Sequence, residues 1–255
     1  MQSPTQAYDD HAQSWAKVME GINLASTHLE LPAMEALLPD LQGRSVLCLG
    51  CGTGNECAEM LRRGARKVMG ADMSPRLIHR ARMLHPQIPF VLMDIAKLGL
   101  AAESFDLVYC SKAMHYVQDW TQTLQALHRA LRPEGKMLLS THHPGLWGGQ
   151  INRTPDSLTK LFGYRYSDGF SNLEIFGDYF DNSMRTDMWR GGIPVHYYHK
   201  KLSSMFNEIS AAGFRIIEII EPQPIPAAKL LNENFYSLFT KVPLFLILVL
   251  EKSTH

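Results

Sequence analysis

The chain has 255 residues, 45% hydrophobic and 20% charged, enough to bury one substantial core as a large α/β domain or a domain with an insertion. Its 25 basic and 25 acidic residues cancel and no Lys/Arg run stands out, which argues against a nucleic-acid partner. The longest apolar run, "VPLFLILVL" at 242–250, is about half the ~20 residues that a membrane-spanning helix requires, so it reads as a buried strand and no membrane partner is expected.

In chain order, the opening "MQSPTQAYDDHAQSW" is polar and lacks the charged and apolar regions of a signal peptide, so a cytoplasmic protein is expected. Cys48, Cys51, Cys57 and Cys110 include one C-x-x-C pair without a second Cys or Cys/His pair, so they read as reduced structural thiols. From residue 45 to 142 short β-rich runs alternate with helix-period segments, the pattern of βαβ units. The strands are "SVLCLG", "KVMGAD", "PFVLMD", "FDLVYC" and "GKMLLST". Ser74 caps a helix with Pro75 at its first position and Leu77, Ala81 and Leu84 on one face. Asp119 caps another, striped by Leu124, Leu127 and Leu131 and ended by "RPEG".

After the fifth strand the alternation stops for about fifty residues. It resumes with a helix over 201–212, Gly213 as its stop, the strand "FRIIEII" and the last strand "LFLILVLE". No long crossover helix separates that final pair, which predicts an antiparallel arrangement at the sheet edge. The fold expected is a doubly wound, mostly parallel seven-stranded α/β sheet with an antiparallel edge strand and an insertion after the fifth strand. Residues 145–200 hold 11 of the 24 aromatic residues, about three times the density elsewhere. An insertion at the carboxyl end of a central strand lies where open α/β sheets bind ligands. It is therefore either a substrate lid, a subdomain with its own small core, or a dimer contact.

The stretch "VLCLGCGTGNE" joins a strand to a helix through Gly50, Gly52 and Gly54, bringing backbone N–H groups and a helix N-terminus toward a ligand. The dinucleotide pattern G-x-G-x-x-G fails because Asn55 stands where its third glycine belongs, and no Lys-Ser/Thr follows as in a P-loop. Twenty residues beyond Gly52, Asp72 ends the second strand, where a carboxylate accepts both ribose hydroxyls of an adenosine moiety. Asp94 and Ile95, ending the third, offer a carboxylate and an apolar surface at the level of an adenine ring.

"VLCLGCGTG", "GADMSPRLIHRAR", "FVLMDIAKLGLAAESFDLVYCSKAMHYVQDW" and "LHRALRPEGKMLLS" together resemble the class I S-adenosylmethionine-dependent methyltransferases, particularly the small-molecule enzymes of the ubiquinone and menaquinone type. The match runs in register over about 45–141. The resemblance implies S-adenosylmethionine as cofactor and S-adenosylhomocysteine as product. It implies that Gly50, Cys51, Gly52 and Gly54 pass beneath the methionine part, that Asp72 holds the ribose with Met73 against the adenine, that Asp94 and Ile95 flank the adenine, and that Ser111 lies near the transferable methyl. Tyr8 and Asp9 resemble the "YD" of an N-terminal segment that folds over the cofactor. The chain departs from the family at Cys48, where an acidic residue is usual. A missing carboxylate bond to the cofactor's amino group would cost on the order of 1.5–3 kcal/mol, unless a water or a backbone carbonyl substitutes.

Methyl transfer from a sulfonium needs no protonation of the leaving group, so alignment and exclusion of water carry most of the catalysis. A base matters only where the acceptor must shed a proton. His142 and His143 end the fifth strand and point to opposite faces, so one of them is a candidate base or substrate partner, and His115 lies among pocket-lining positions. Trp147, Trp189, Tyr197, Tyr198 and His199 either wall a partly apolar substrate or pack the insertion. No metal site is expected, since His196 and His199 have no marked carboxylate partners.

The expectation is a single methyltransferase domain: an N-terminal lid segment over 1–44, a cofactor-binding core over 45–144, a substrate cap over 145–200, and a C-terminal helix and two strands over 201–255. It would act on a small, partly apolar acceptor, with homo-oligomers possible. The alternative is a protein that binds S-adenosylmethionine for regulation or assembly without turnover.

Overall fold

The computed structural model describes residues 23–153, 158–167, 172–189 and 193–253. Tyr8 and Asp9 lie outside these. A π-helical turn, Ser26–Glu30, runs into α1 (Leu31–Ala36) and leads to β1 (Ser45–Leu49), α2 (Asn55–Arg62), β2 (Lys67–Asp72), α3 (Pro75–Leu84), β3 (Phe90–Leu92) and β4 (Phe105–Cys110). Next come α4 (Trp120–Ala130), β5 (Leu131–His142) and a short α5 (Pro144–Trp147).

Six strands follow as three antiparallel pairs: β6 (Gln150–Arg153) with β7 (Leu158–Leu161), β8 (Gly163–Ser167) with β9 (Asn172–Phe176), and β10 (Met184–Trp189) with β11 (Ile193–Tyr198). The chain returns through α6 (Leu202–Ala211), β12 (Phe214–Ile220), α7 (Ala227–Leu231), α8 (Glu233–Phe239) and β13 (Phe245–Lys252).

The main sheet has the order β12-β13-β5-β4-β1-β2-β3. Pairings among β1 to β5 are parallel, while β13 is antiparallel to both β5 and β12. The antiparallel strand therefore sits one position in from the edge, and β12 forms the edge itself. Burial explains the placement: residues 245–250 are buried on both faces, as an internal strand must be, whereas Ile217 and Ile219 of β12 are about half exposed. Two short helices, rather than one crossover helix, join this pair.

Alternating residues of β1 feed the two faces. Leu47 and Leu49 pack with Trp120, Leu124 and Leu127 of α4 and Ile209 of α6. Val46 and Cys48 pack with Cys57 and Met60 of α2 and Ile78 of α3. Local chemistry sets the helix ends: Ser74 Oγ accepts the Leu77 amide at 3.2 Å with Pro75 behind it, and Asp119 accepts the Thr121 amide at 2.9 Å. The buried face of α3 carries Leu77, Ile78 and Ala81; Leu84, expected on that stripe, is the last residue of the helix and is 51% exposed. Strand order reverses between β1 and β4, which opens a crevice at their carboxyl ends.

Candidate active site

The first wall of this crevice is the glycine loop. Gly50, Gly52 and Gly54 take φ of +70°, +52° and +86°, left-handed values that only glycine adopts freely. Space is as short as the dihedrals: a Cβ on Gly50 would lie 2.5 Å from Ala113 Cβ, and one on Gly54 2.6 Å from the Phe90 ring. The amides of Gly50 and Cys51 donate to Ala71 O at 2.8 and 3.0 Å, which pins the loop to β2. Asp72, at the end of β2, accepts the Gly52 amide on Oδ2 and the Ser74 amide on Oδ1, both at 2.9 Å. Burial raises its pKa while the amides of Ser74, Gly52 and Met73 oppose that rise. Met73 is half-buried beside it, Asp94 is exposed with Oδ1 on the Ala96 amide, and Ile95 is buried. These groups share one edge of the sheet.

Cys48 points away from this edge, into the core with Cys51 and Cys57. All four thiols are free and buried. The Cys57 neighbour and then burial hold Cys51 far above the ordinary thiol range, so it is a protonated packing group. Ser111 follows β4, buried, and donates to Glu30 Oε1 at 2.8 Å.

The second wall lies beyond β5. The rings of His115, His142 and Trp147 stack as a column, with centroids 3.5 Å apart between the histidines and 3.3 Å between His142 and Trp147, tilted by only 11° and 4°. Tyr197 stands edge-on to both His142 and Trp147. Lys160 Nζ sits 4.1 Å above the Trp147 ring and pairs with buried Asp187 at 2.5 Å. Trp147 is fixed by its Nε1–H bond to Leu244 O at 3.0 Å. These rings, with Thr141 and Lys200, line a narrow cavity with room for about one water molecule. Both nitrogens of His115, Nδ1 of His142 and the Thr141 hydroxyl are buried there without a hydrogen-bond partner.

Burial, and then the nearby Lys112, push the His115 pKa down to about 3; burial and then His115 hold His142 well below the imidazole range. Both rings are neutral at pH 7. The His115 shift makes a stability prediction. A folded pKa below the unfolded value of about 6.5 means that the unfolded chain takes up the proton first, so stability falls as pH drops from 6.5 toward 3. Between pH 6.5 and 5 the protein should lose ~2 kcal/mol more than His115→Gln does, read by urea unfolding at each pH.

His143, the other histidine of the pair, is turned away. Its Nδ1 accepts the Gly145 amide at 3.1 Å, capping α5, and its Nε2 meets Glu221 at 2.8 Å. Of the insertion residues, Tyr197 and buried His199 face the cavity with half-buried Tyr198, and His199 Nε2 bonds Tyr179 O at 3.1 Å. Trp189 ends β10, and its side chain lies outside the described residues. Glu30, Lys112, Thr141 and Lys160 were not anticipated. Glu30 had no signal beyond an acid in the apolar "HLELP", and its contacts lie 81 to 110 residues away.

A methyltransferase-domain family matches residues 47–139. The crystal structure of an S-adenosylmethionine-dependent methyltransferase from Mesorhizobium loti is similar at a TM-score of 0.72 and 29% identity, covering 88% of this chain and 97% of that one. The ubiquinone biosynthesis O-methyltransferase of Xanthomonas oryzae is 39% identical over 122 residues, 46% of each chain. The tRNA U34 carboxymethyltransferase of Cellvibrio japonicus is 33% identical over 110 residues, 41% of this chain and 34% of its own. The chain thus spans about half or less of the length of these two curated relatives.

Doubly wound sheet, left-handed glycine loop and the Asp72 carboxylate on that loop define a nucleoside-binding α/β enzyme. With these likenesses, the chain carries a methyltransferase domain and is similar in sequence and fold to the S-adenosylmethionine-dependent methyltransferases, which supports S-adenosylmethionine as its cofactor. The residues present fit that group: the glycine loop is held in left-handed geometry at the end of β1, and Asp72 stands at the strand end that a ribose would meet.

Proposed function

We propose that the enzyme methylates a small, partly apolar acceptor held against His142, Trp147 and Tyr197, under a cap formed by residues 145–200. The observation that carries this reading is the group of unpartnered buried polar atoms among stacked rings: His115, His142 and Thr141 offer hydrogen bonds in a space that the neighbouring side chains leave unsatisfied. A buried polar atom left unpaired costs about 1–3 kcal/mol, so an acceptor that bonds there recovers free energy a purely apolar one does not.

The cofactor supplies an electrophilic methyl on a sulfonium that leaves without protonation. Gly50, Gly52, Gly54 and Asp72 hold it, Met73, Asp94 and Ile95 border the adenine, and the ring column orients the acceptor for in-line attack and excludes water. His142, neutral at pH 7 and with its Nδ1 unpartnered, is the group that hydrogen-bonds and orients the acceptor. His143, which caps α5 and meets Glu221, takes a structural part in this reading. Zero net charge favours a small molecule over the tRNA of the Cellvibrio relative. Among the described residues no helix is long and apolar enough to cross a membrane.

The test is transfer of labelled methyl to a panel of small hydroxylated and amine acceptors, with bulk tRNA alongside. Transfer to a small acceptor that falls at least ~100-fold in His142→Gln, with S-adenosylmethionine affinity unchanged, supports the reading. Transfer to tRNA alone overturns it, and binding without transfer to any acceptor favours a regulatory role.

A further inference from the structure

The end of the main sheet away from the glycine loop, where β1, β4 and β5 begin and β13 ends, holds a groove of about 600 Å³, in the size range of small-molecule sites. Strand register builds one part of its lining: Arg215 of β12 opposes Glu251 of β13, which opposes Lys136 of β5. Lys252 and Arg44, the residue before β1, line it too. The Arg44 backbone is pinned, since its amide donates to Leu41 O at 3.0 Å and its carbonyl accepts the amides of Arg66 and Lys67 at 2.8 and 3.3 Å.

Most of the groove's carboxylates are already engaged. Asp106 Oδ2 accepts the Ser45 amide and Arg132 Nη1, both at 2.7 Å, and Glu251 pairs with Arg215. The cations are not matched in the same way. Lys252 Nζ donates to the neutral Leu131 carbonyl at 2.8 Å, which bonds it without cancelling its charge. Among the described residues the side chains of Arg44 and Lys136 make no hydrogen bond or ion pair, although Lys136 stands opposite Glu251 in the ladder. Three positive side chains thus line the groove against one uncommitted carboxylate, that of Glu134. A guanidinium offers five N–H donors and an ammonium three, so a ligand rich in acceptor oxygens satisfies donors and charge together.

We propose that this groove is a second ligand site, for the phosphate group of a small phosphorylated molecule, with Arg44 as its forked contact and Lys136 and Lys252 completing the charge. A phosphate dianion cancels the positive excess that Glu134 leaves. The groove lies at the amino ends of β1 and β4 and the glycine loop at their carboxyl side, so the two sites occupy opposite ends of the same strands and can be filled together. A nucleic-acid backbone offers the same phosphate chemistry. Three cations confined to one groove, on a chain of zero net charge, do not form the basic stripe that a strand follows.

The test is calorimetric titration of the full chain with inorganic phosphate and with glycerol phosphate at about pH 8, where both are dianions, with sodium chloride holding the ionic strength constant and a short RNA oligomer alongside. Saturable binding is expected, weakened at least ~10-fold by Arg44→Gln and by Lys136→Gln and untouched by Lys229→Gln, an exposed lysine on α7 outside the groove. Saturating S-adenosylmethionine should leave the phosphate affinity as it is. In the wild-type chain, independently of any variant, phosphate should shift the amide resonances of Gly135, Lys136 and Ser253. Melting curves of the variants in phosphate-free buffer separate lost binding from lost folding. No saturation by millimolar phosphate, an affinity indifferent to both substitutions, or competition by S-adenosylmethionine overturns the proposal. Tight RNA binding without saturable phosphate binding overturns it in favour of a nucleic-acid surface.

Discussion

Asp72→Ala should lower S-adenosylmethionine affinity by at least ~100-fold while leaving the chain folded. The carboxylate accepts the Gly52 and Ser74 amides at 2.9 Å each, shaping the glycine loop and the entry to α3, and in the proposed site it also takes the ribose hydroxyls of the nucleoside. Hydrogen bonds to a charged acceptor contribute about 1.5–3 kcal/mol each, so losing two to the ribose removes 3 kcal/mol or more, and every 1.4 kcal/mol is tenfold in Kd. Ser74 still caps α3 through its own side chain, so thermal unfolding should move little by comparison. Calorimetric titration with S-adenosylmethionine and a melting curve on the same sample measure both. Affinity within a few-fold of wild type would show that the carboxylate organises the loop without touching the cofactor.

What the sequence made legible and what it hid divide along chain distance. The glycine loop, Asp72 and the caps at Ser74 and Asp119 are local devices: residues a few positions apart impose the turn or the helix start, and Asp72 follows from one βα unit. The seven strands of the main sheet were legible for the same reason, whereas the six short strands of the insertion were not. The place of β13 between β5 and β12 was not, because antiparallel pairing alone does not say which member of the pair lies outside; the uninterrupted "FLILVL", buried on both faces, is the signal that does. The long-range groups were harder still. Glu30 meets Ser140 across 110 residues and Lys160 meets Asp187 across 27, and nothing in "HLELP" or "LTKLF" marks a charge that will be buried. His142 and His143 were legible as a pair on opposite faces, but which one turns toward the rings depends on the register of β5 with β13, where His142 opposes Phe245.

Gly50→Ala should destabilise the protein by ~3 kcal/mol, more than any surface change and for two separable reasons. A non-glycine residue at φ +70° costs about 1–2 kcal/mol in backbone strain, and the new methyl, 2.5 Å from Ala113 Cβ, adds an overpacking cost of about 1–3 kcal/mol. Ala113→Gly tests the division, because it removes the atom that the methyl strikes and leaves the dihedral as it is. The double variant Gly50→Ala/Ala113→Gly should therefore recover the steric share while the backbone share persists, apart from what Ala113→Gly costs alone, and a double-mutant cycle by urea unfolding isolates that coupling. A favourable coupling of 1 kcal/mol or more shows that contact with Ala113, three residues beyond β4, is what demands glycine just after β1. That contact lies where the strand order reverses, so the residue that lets the loop turn is also one that lets the segments after β1 and β4 approach each other. Purely additive effects would mean that the backbone angle alone explains Gly50, and that Ala113 moves aside at no cost.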